Sequence, residues 1–104
     1  MSGVLVVLTE PVEGAEADFE HWYENVHVPD LLRLPSVLSV RRFALNAKTG
    51  NGTGQRYLAV YEVTDTTQAE QEVTRAGETG QMPISASLDG SNVQMGYFDL
   101  ISAH

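Results

Sequence analysis

A chain of 104 residues that is 42% hydrophobic can bury a single core without covalent staples. It contains no cysteine, which excludes disulfides, thiolate nucleophiles and thiolate metal sites. Six Lys and Arg against fourteen Asp and Glu give a net charge of −8, a surface that repels phosphate backbones and anionic lipid. Neither nucleic acid nor a membrane is therefore an expected partner.

Val4 to Leu8 is a continuous apolar run that ends at Thr9-Glu10-Pro11, the pattern of a buried strand. Residues 3–8 are too short to span a bilayer, and no basic segment precedes them, so a reducing cytoplasm is the expected location. From Ala15 the period changes. Phe19, Trp22, Tyr23 and Val26 fall at i, i+3, i+4 and i+7, one face of an amphipathic helix, with Glu16, Asp18 and Glu20 in its first turns. Pro29 predicts that this helix stops near His27 and that Asp30–Leu34 is a turn.

Pro35 resets the chain, and Val37 to Leu45 reads as a strand apolar on both faces that also carries Arg41 and Arg42. The glycine-rich 46–54 segment is a hairpin connection. It lacks the lysine and the strand–helix setting of a phosphate loop. Arg56 to Val63 is the third strand. Asp65 is the expected cap of a second helix, with Gln68 at the capping-box position, a thin stripe of Ala69, Val73 and Ala76, and an end at Gly77 or Gly80. Residues 81–92 read as loop or a short helical turn, and Val93 to Ile101 as the last strand.

The order β-α-β-β-α-β in one domain, residues 1–104, is the ferredoxin-like split βαβ arrangement: an α+β fold with an antiparallel sheet and two helices on one face. Helices cover only one side, so apolar residues on the other face call for a partner sheet or a ligand.

Phe19–Leu32 followed by Pro35-Ser36-Val37-Leu38-Ser39-Val40-Arg41-Arg42-Phe43 resembles the signature of EthD-like proteins, members of the dimeric α+β barrel superfamily. Trp22-Tyr23, the histidine of Val26-His27-Val28-Pro29 and the proline before the second strand match in type and position. The resemblance implies a homodimer whose sheets close a barrel. For activity it implies only a range, from cofactor-free monooxygenases to isomerases, dehydratases, cyclases and members with none.

Three histidines are candidates for chemistry. At about 100° per residue, His27 flanks the apolar stripe while His21 lies opposite, in solvent, and His104 is the last residue. His27 is the candidate catalytic residue, and a cap on the helix C-terminus is its structural alternative. Arg41 and Arg42 point to opposite strand faces; one reaches solvent or a dimer seam, and the other needs a partner such as Asp99 or a substrate enolate. Tyr57, Tyr61 and Tyr97 share odd positions, which face either a barrel interior or the helices. Trp22 reads as an anchor of the first helix on the sheet.

The expectation is a cofactor-independent acid–base enzyme acting on a hydrophobic carbonyl, phenolic or lactone-type molecule. His27 is its catalytic group, and Arg41, Tyr57, Tyr61, Tyr97 and Trp22 are its substrate-binding residues, with no metal site and no cofactor. The alternative is a non-catalytic small-molecule-binding or accessory protein with the same dimeric barrel.

Overall fold

Two strand–helix–strand passes make up the chain in a computed structural model that describes residues 1–104. The elements are β1 (Gly3–Thr9), α1 (Glu16–Trp22), a π-helical turn (Tyr23–His27), α2 (Val28–Leu32), β2 (Val37–Ala44), a 3₁₀ turn (Ala47–Thr49), β3 (Tyr57–Val63), α3 (Thr66–Glu78) and β4 (Gln94–Asp99). The sheet has the order β2-β3-β1-β4 and is antiparallel throughout. This is the ferredoxin-like arrangement that the element order predicts. No helix is long and apolar enough to cross a membrane.

Strand register decides which side chains meet the helices. Leu5 lies opposite Tyr61 on one side and Tyr97 on the other, and Val7 opposite Ala59 and Met95, so odd positions of β1, β3 and β4 share a face. Leu5, Ala59, Tyr61 and Val63 are at most 2% exposed, packed with Phe19, Trp22, Tyr23 and Leu31 of the helical layer and Ala69 of α3. The odd tyrosines thus face the helices and not the open side of the sheet.

Strand β2 carries a bulge between Val37 and Ser39, so Val37 pairs with Val63 but Ser39 already pairs with Glu62. One inserted residue reverses the alternation that follows. Even residues beyond the bulge then face the helices, Val40 opposite Tyr61 and Arg42 opposite Ala59. Val4, Val6, Leu8, Leu58, Val60, Phe43 and Phe98 take the other face, which no element of this chain covers. Leu38, Phe43 and Phe98 are about half exposed there, at 55%, 46% and 58%.

The first helix departs most from expectation. It does not stop near His27. The backbone is right-handed helical at Trp22, Tyr23, His27 and Val28, and the chain runs on to Leu32, so Asp30–Leu32 is helix and not turn. Pro29 is accommodated because the turn before it widens: the Val28 N–H donates to the Tyr23 carbonyl, an i→i+5 bond. A π-helical turn of this kind inserts one residue into a helix and relieves the crowding a proline ring imposes on the preceding turn. The insertion also changes the helical phase, and Val26, expected on the apolar stripe, is 38% exposed.

Asp65 caps α3, its carboxylate accepting from the Thr67 N–H at 3.1 Å, but there is no reciprocal capping box because the Gln68 amide donates to Glu72 instead. Glu72 also accepts from the Ser36 N–H at 2.9 Å, which ties α3 to the start of β2. The helix passes through Gly77 and ends before Gly80, whose φ of +75° suits glycine at that position.

Candidate functional site

The wider turn carries His27 back over residues of the preceding turn. Its imidazole stacks on the Trp22 indole with ring centroids 4.7 Å apart and an interplanar angle of 27°. The same ring meets Tyr23 edge-on at 4.9 Å. In a regular helix, residues five apart point to well-separated directions; the i→i+5 turn brings these two onto one side. His27 is therefore neither at a helix end nor a terminal cap.

These rings form one wall of a cavity of about 160 Å³ between the sheet and the helices. Leu5, Val7 and Tyr61 line it from the sheet, Leu31 and Val73 from the helices, and Met82, Ile84 and Leu88 from the 81–92 segment, while exposed Ile84 and Met95 mark a side that opens to solvent. This space thus lies on the helix side of the sheet, and not on the open face where a barrel interior was expected. A polar edge interrupts its apolar surface. The Tyr23 and Tyr61 hydroxyls are 2.7 Å apart and buried, and the His27 Nδ1 is buried without a hydrogen-bond partner.

Burial makes the charged imidazole unfavourable and pushes His27 down from 6.5 to about 4; the Arg42 guanidinium acts in the same direction, and the Asp30 carboxylate opposes both. At neutral pH the ring is uncharged. The two phenols behave conversely: burial raises both above the ordinary tyrosine value, so they remain protonated donors.

Arg42 lies behind Tyr23, its guanidinium carbon 4.4 Å from the ring centroid. Glu20 and Glu24 hold the same guanidinium, Glu24 at 2.9 Å. Arg42 is thus the arginine that faces the helices, and its acid partners come from the first helix and not from Asp99, which accepts from the Thr66 hydroxyl. Arg41, expected at the substrate, projects from the opposite face beside Phe43, because the bulge reverses the phase of β2.

The other residues singled out in the sequence separate into two groups. Trp22 and Tyr61 line the cavity with His27. Tyr57 packs on Phe19 with centroids 5.2 Å apart, and Tyr97 lies half-buried near Glu70, and neither forms part of the cavity wall. His21 is exposed, its carbonyl accepting from the Asn25 amide at 2.9 Å. Two participants were not among the candidate site residues. Tyr23 looked like one more stripe residue, although a tyrosine amid otherwise apolar stripe positions is a signal for a buried hydroxyl. Asp30 is 9% exposed, pairs through one oxygen with Arg33 and has its Oδ2 buried and unpaired.

No family model and no curated protein matches the chain. Solved structures do. It is similar to an ethyl tert-butyl ether D (EthD) family protein from Bacillus halodurans C-125, with a TM-score of 0.71 and 16% identity over 97% of this chain and 100% of that one. It is also similar to a dimeric ferredoxin-like protein of unknown function from Jannaschia sp. CCS1, with a TM-score of 0.64 and 16% identity over 96% and 100% of the two chains. HapK from Hahella chejuensis aligns with a TM-score of 0.59 and 23% identity over 100% and 97%. At these identities the likeness establishes the fold. The chain is a ferredoxin-like α+β domain of the architecture that an EthD-family protein shares, in agreement with the resemblance read in residues 19–43.

The depressed His27 value has a consequence for stability. The unfolded chain takes up a proton at this histidine near 6.5 and the folded chain only near 4, so the unfolded state binds more protons in between. Stability from this group is complete above pH 6.5 and is lost as pH falls toward 4, by up to about 3 kcal/mol. Denaturant melts of wild type and His27→Phe should diverge over that window, the variant lacking this part of the slope. Parallel curves would show that the imidazole titrates normally.

Proposed function

We propose that this protein is a small enzyme of the EthD-like group that moves protons on a hydrophobic carbonyl-type molecule without a cofactor, in a cytoplasmic setting. The observation that carries this reading is a neutral imidazole held by Trp22 and Tyr23 against an apolar cavity, with two buried phenol donors beside it. A neutral histidine can take a proton from a carbon next to a carbonyl, becoming imidazolium while the electron pair moves onto the carbonyl oxygen as an enolate. A phenolic O–H donor stabilises the charge that develops on that oxygen. Returning the proton to a different atom is isomerisation, and losing a leaving group from the enolate is elimination. The low basicity of the free histidine suits a comparatively acidic substrate carbon, or a site whose charge balance changes once substrate enters.

One observation favours a second reading, a binding protein with the same cavity. A volume of about 160 Å³ is below the roughly 300–1,000 Å³ common for small-molecule sites, and a histidine pushed to about 4 is a reluctant base. Hydrogen–deuterium exchange at the carbons beside the carbonyl of cyclohexanone, followed by NMR, separates the two readings. The enzyme reading expects wild type to accelerate the exchange, His27→Gln to lose roughly 10²–10⁴-fold of it, and His21→Gln to keep it. Ketone binding with no acceleration points to the binding protein.

The same reading includes a homodimer formed through the open sheet face. Phe43, Leu38 and Phe98 on that face, with Leu100 and Ile101 after β4, make an apolar surface of a kind that a monomer rarely leaves in water. The Jannaschia protein of the same fold is described as dimeric. Light scattering at micromolar concentration should give twice the 11.4 kDa chain mass, and a folded species of 11.4 kDa would contradict the assembly.

A further inference from the structure

The Tyr23 and Tyr61 hydroxyls are each other's only hydrogen-bond partner within the chain, at 2.7 Å. A phenol carries one hydrogen to donate. Two phenols therefore hold two hydrogens, and their mutual bond uses one. The second belongs to whichever oxygen accepts the first, and it has nothing in the protein to bond. Both residues are at most 2% exposed, so that hydrogen is withheld from bulk water, where an unpaired donor is costly. The pair lines the same cavity as His27.

We propose that the Tyr23–Tyr61 pair is a donor site for the acceptor oxygen of an uncharged carbonyl compound about the size of a single ring. This rests on reading the cavity as the substrate site and adds the charge, size and anchoring group of what enters it. Uncharged follows from the walls. No lysine or arginine lines the cavity, and the one cation nearby, Arg42, is already held by Glu20 and Glu24 on the far side of the Tyr23 ring. A carboxylate or phosphate entering this space would have no counter-charge. Single-ring size follows from about 160 Å³, since a dry cavity of about 150 Å³ takes up benzene. An acceptor oxygen follows from the unspent hydrogen, which the Arg42 guanidinium over the Tyr23 ring makes a better donor.

The test uses binding and not turnover, so that its failure is separate from failure of His27 as a base. Cyclohexanone labelled with ¹³C at the carbonyl is titrated into wild type, the Tyr23→Phe/Tyr61→Phe double variant and His21→Gln. Wild type should bind it, with the carbonyl resonance moved downfield by the donated hydrogen bond. The double variant should lose that shift and bind roughly tenfold more weakly, while its affinity for methylcyclohexane is kept. The exposed His21→Gln should retain the shift, and cyclohexanecarboxylate should bind wild type far more weakly than the ketone. The assignment is overturned if wild type binds no ketone, if the bound carbonyl is unshifted, if the shift persists in the double variant or vanishes in His21→Gln, or if the carboxylate binds as tightly. Should the double variant not fold, the wild-type shift and the carboxylate comparison decide alone.

Discussion

The arrangement of this domain depends on the contact between His27 and Trp22 across a widened helical turn. A regular helix would have left the imidazole beside the apolar stripe, and a helix ended by Pro29 would have left it at a frayed terminus. Instead the i→i+5 bond from Val28 to Tyr23 absorbs the proline and turns the ring onto the indole face. Leu31, on the continuation of the helix, is then buried and closes a side of the cavity. The turn thus links three levels: a proline in the sequence, a local change of helical pitch, and a titratable group delivered to an apolar space.

Delivering it there has an energetic cost. Buried Nδ1 of His27 and Oδ2 of Asp30 lack partners, and burial pushes the imidazole down from 6.5 to about 4. Packing offsets the cost, because Phe19, Trp22, Tyr23 and Tyr61 concentrate aromatic burial at the same place. Arg42 reinforces it from β2, holding Glu20 and Glu24 of the first helix while stacking on Tyr23. The result is an aromatic wall that holds an uncharged imidazole and two phenols beside one apolar space.

Much of this could be read in the residues. The apolar run of β1, the Phe19-Trp22-Tyr23 stripe and the Asp65 cap each obey a local rule, and together they fix the element order and the topology. His27 stood out for its place beside the stripe. What could not be read depended on single-residue changes of phase. The β2 bulge at Val37/Ser39 exchanges the faces of Arg41 and Arg42, and the π-turn moves Val26 outward and His27 inward. Neither has a composition signature, because both are solutions the backbone finds under tertiary constraint. The odd tyrosines could not be divided for a related reason. Alternation places Tyr57, Tyr61 and Tyr97 on one face, but only the position of the helices above them decides that Tyr61 alone reaches the cavity.

The fold delivers a neutral imidazole to an apolar cavity through the turn at Tyr23–His27. An NMR titration of the three histidine side chains tests it most directly, with His27→Gln to assign the resonances. His27 should stay neutral down to a midpoint near 4. A His27 midpoint near the ordinary 6.5 would show a solvated ring and contradict both the site and the helix path that builds it.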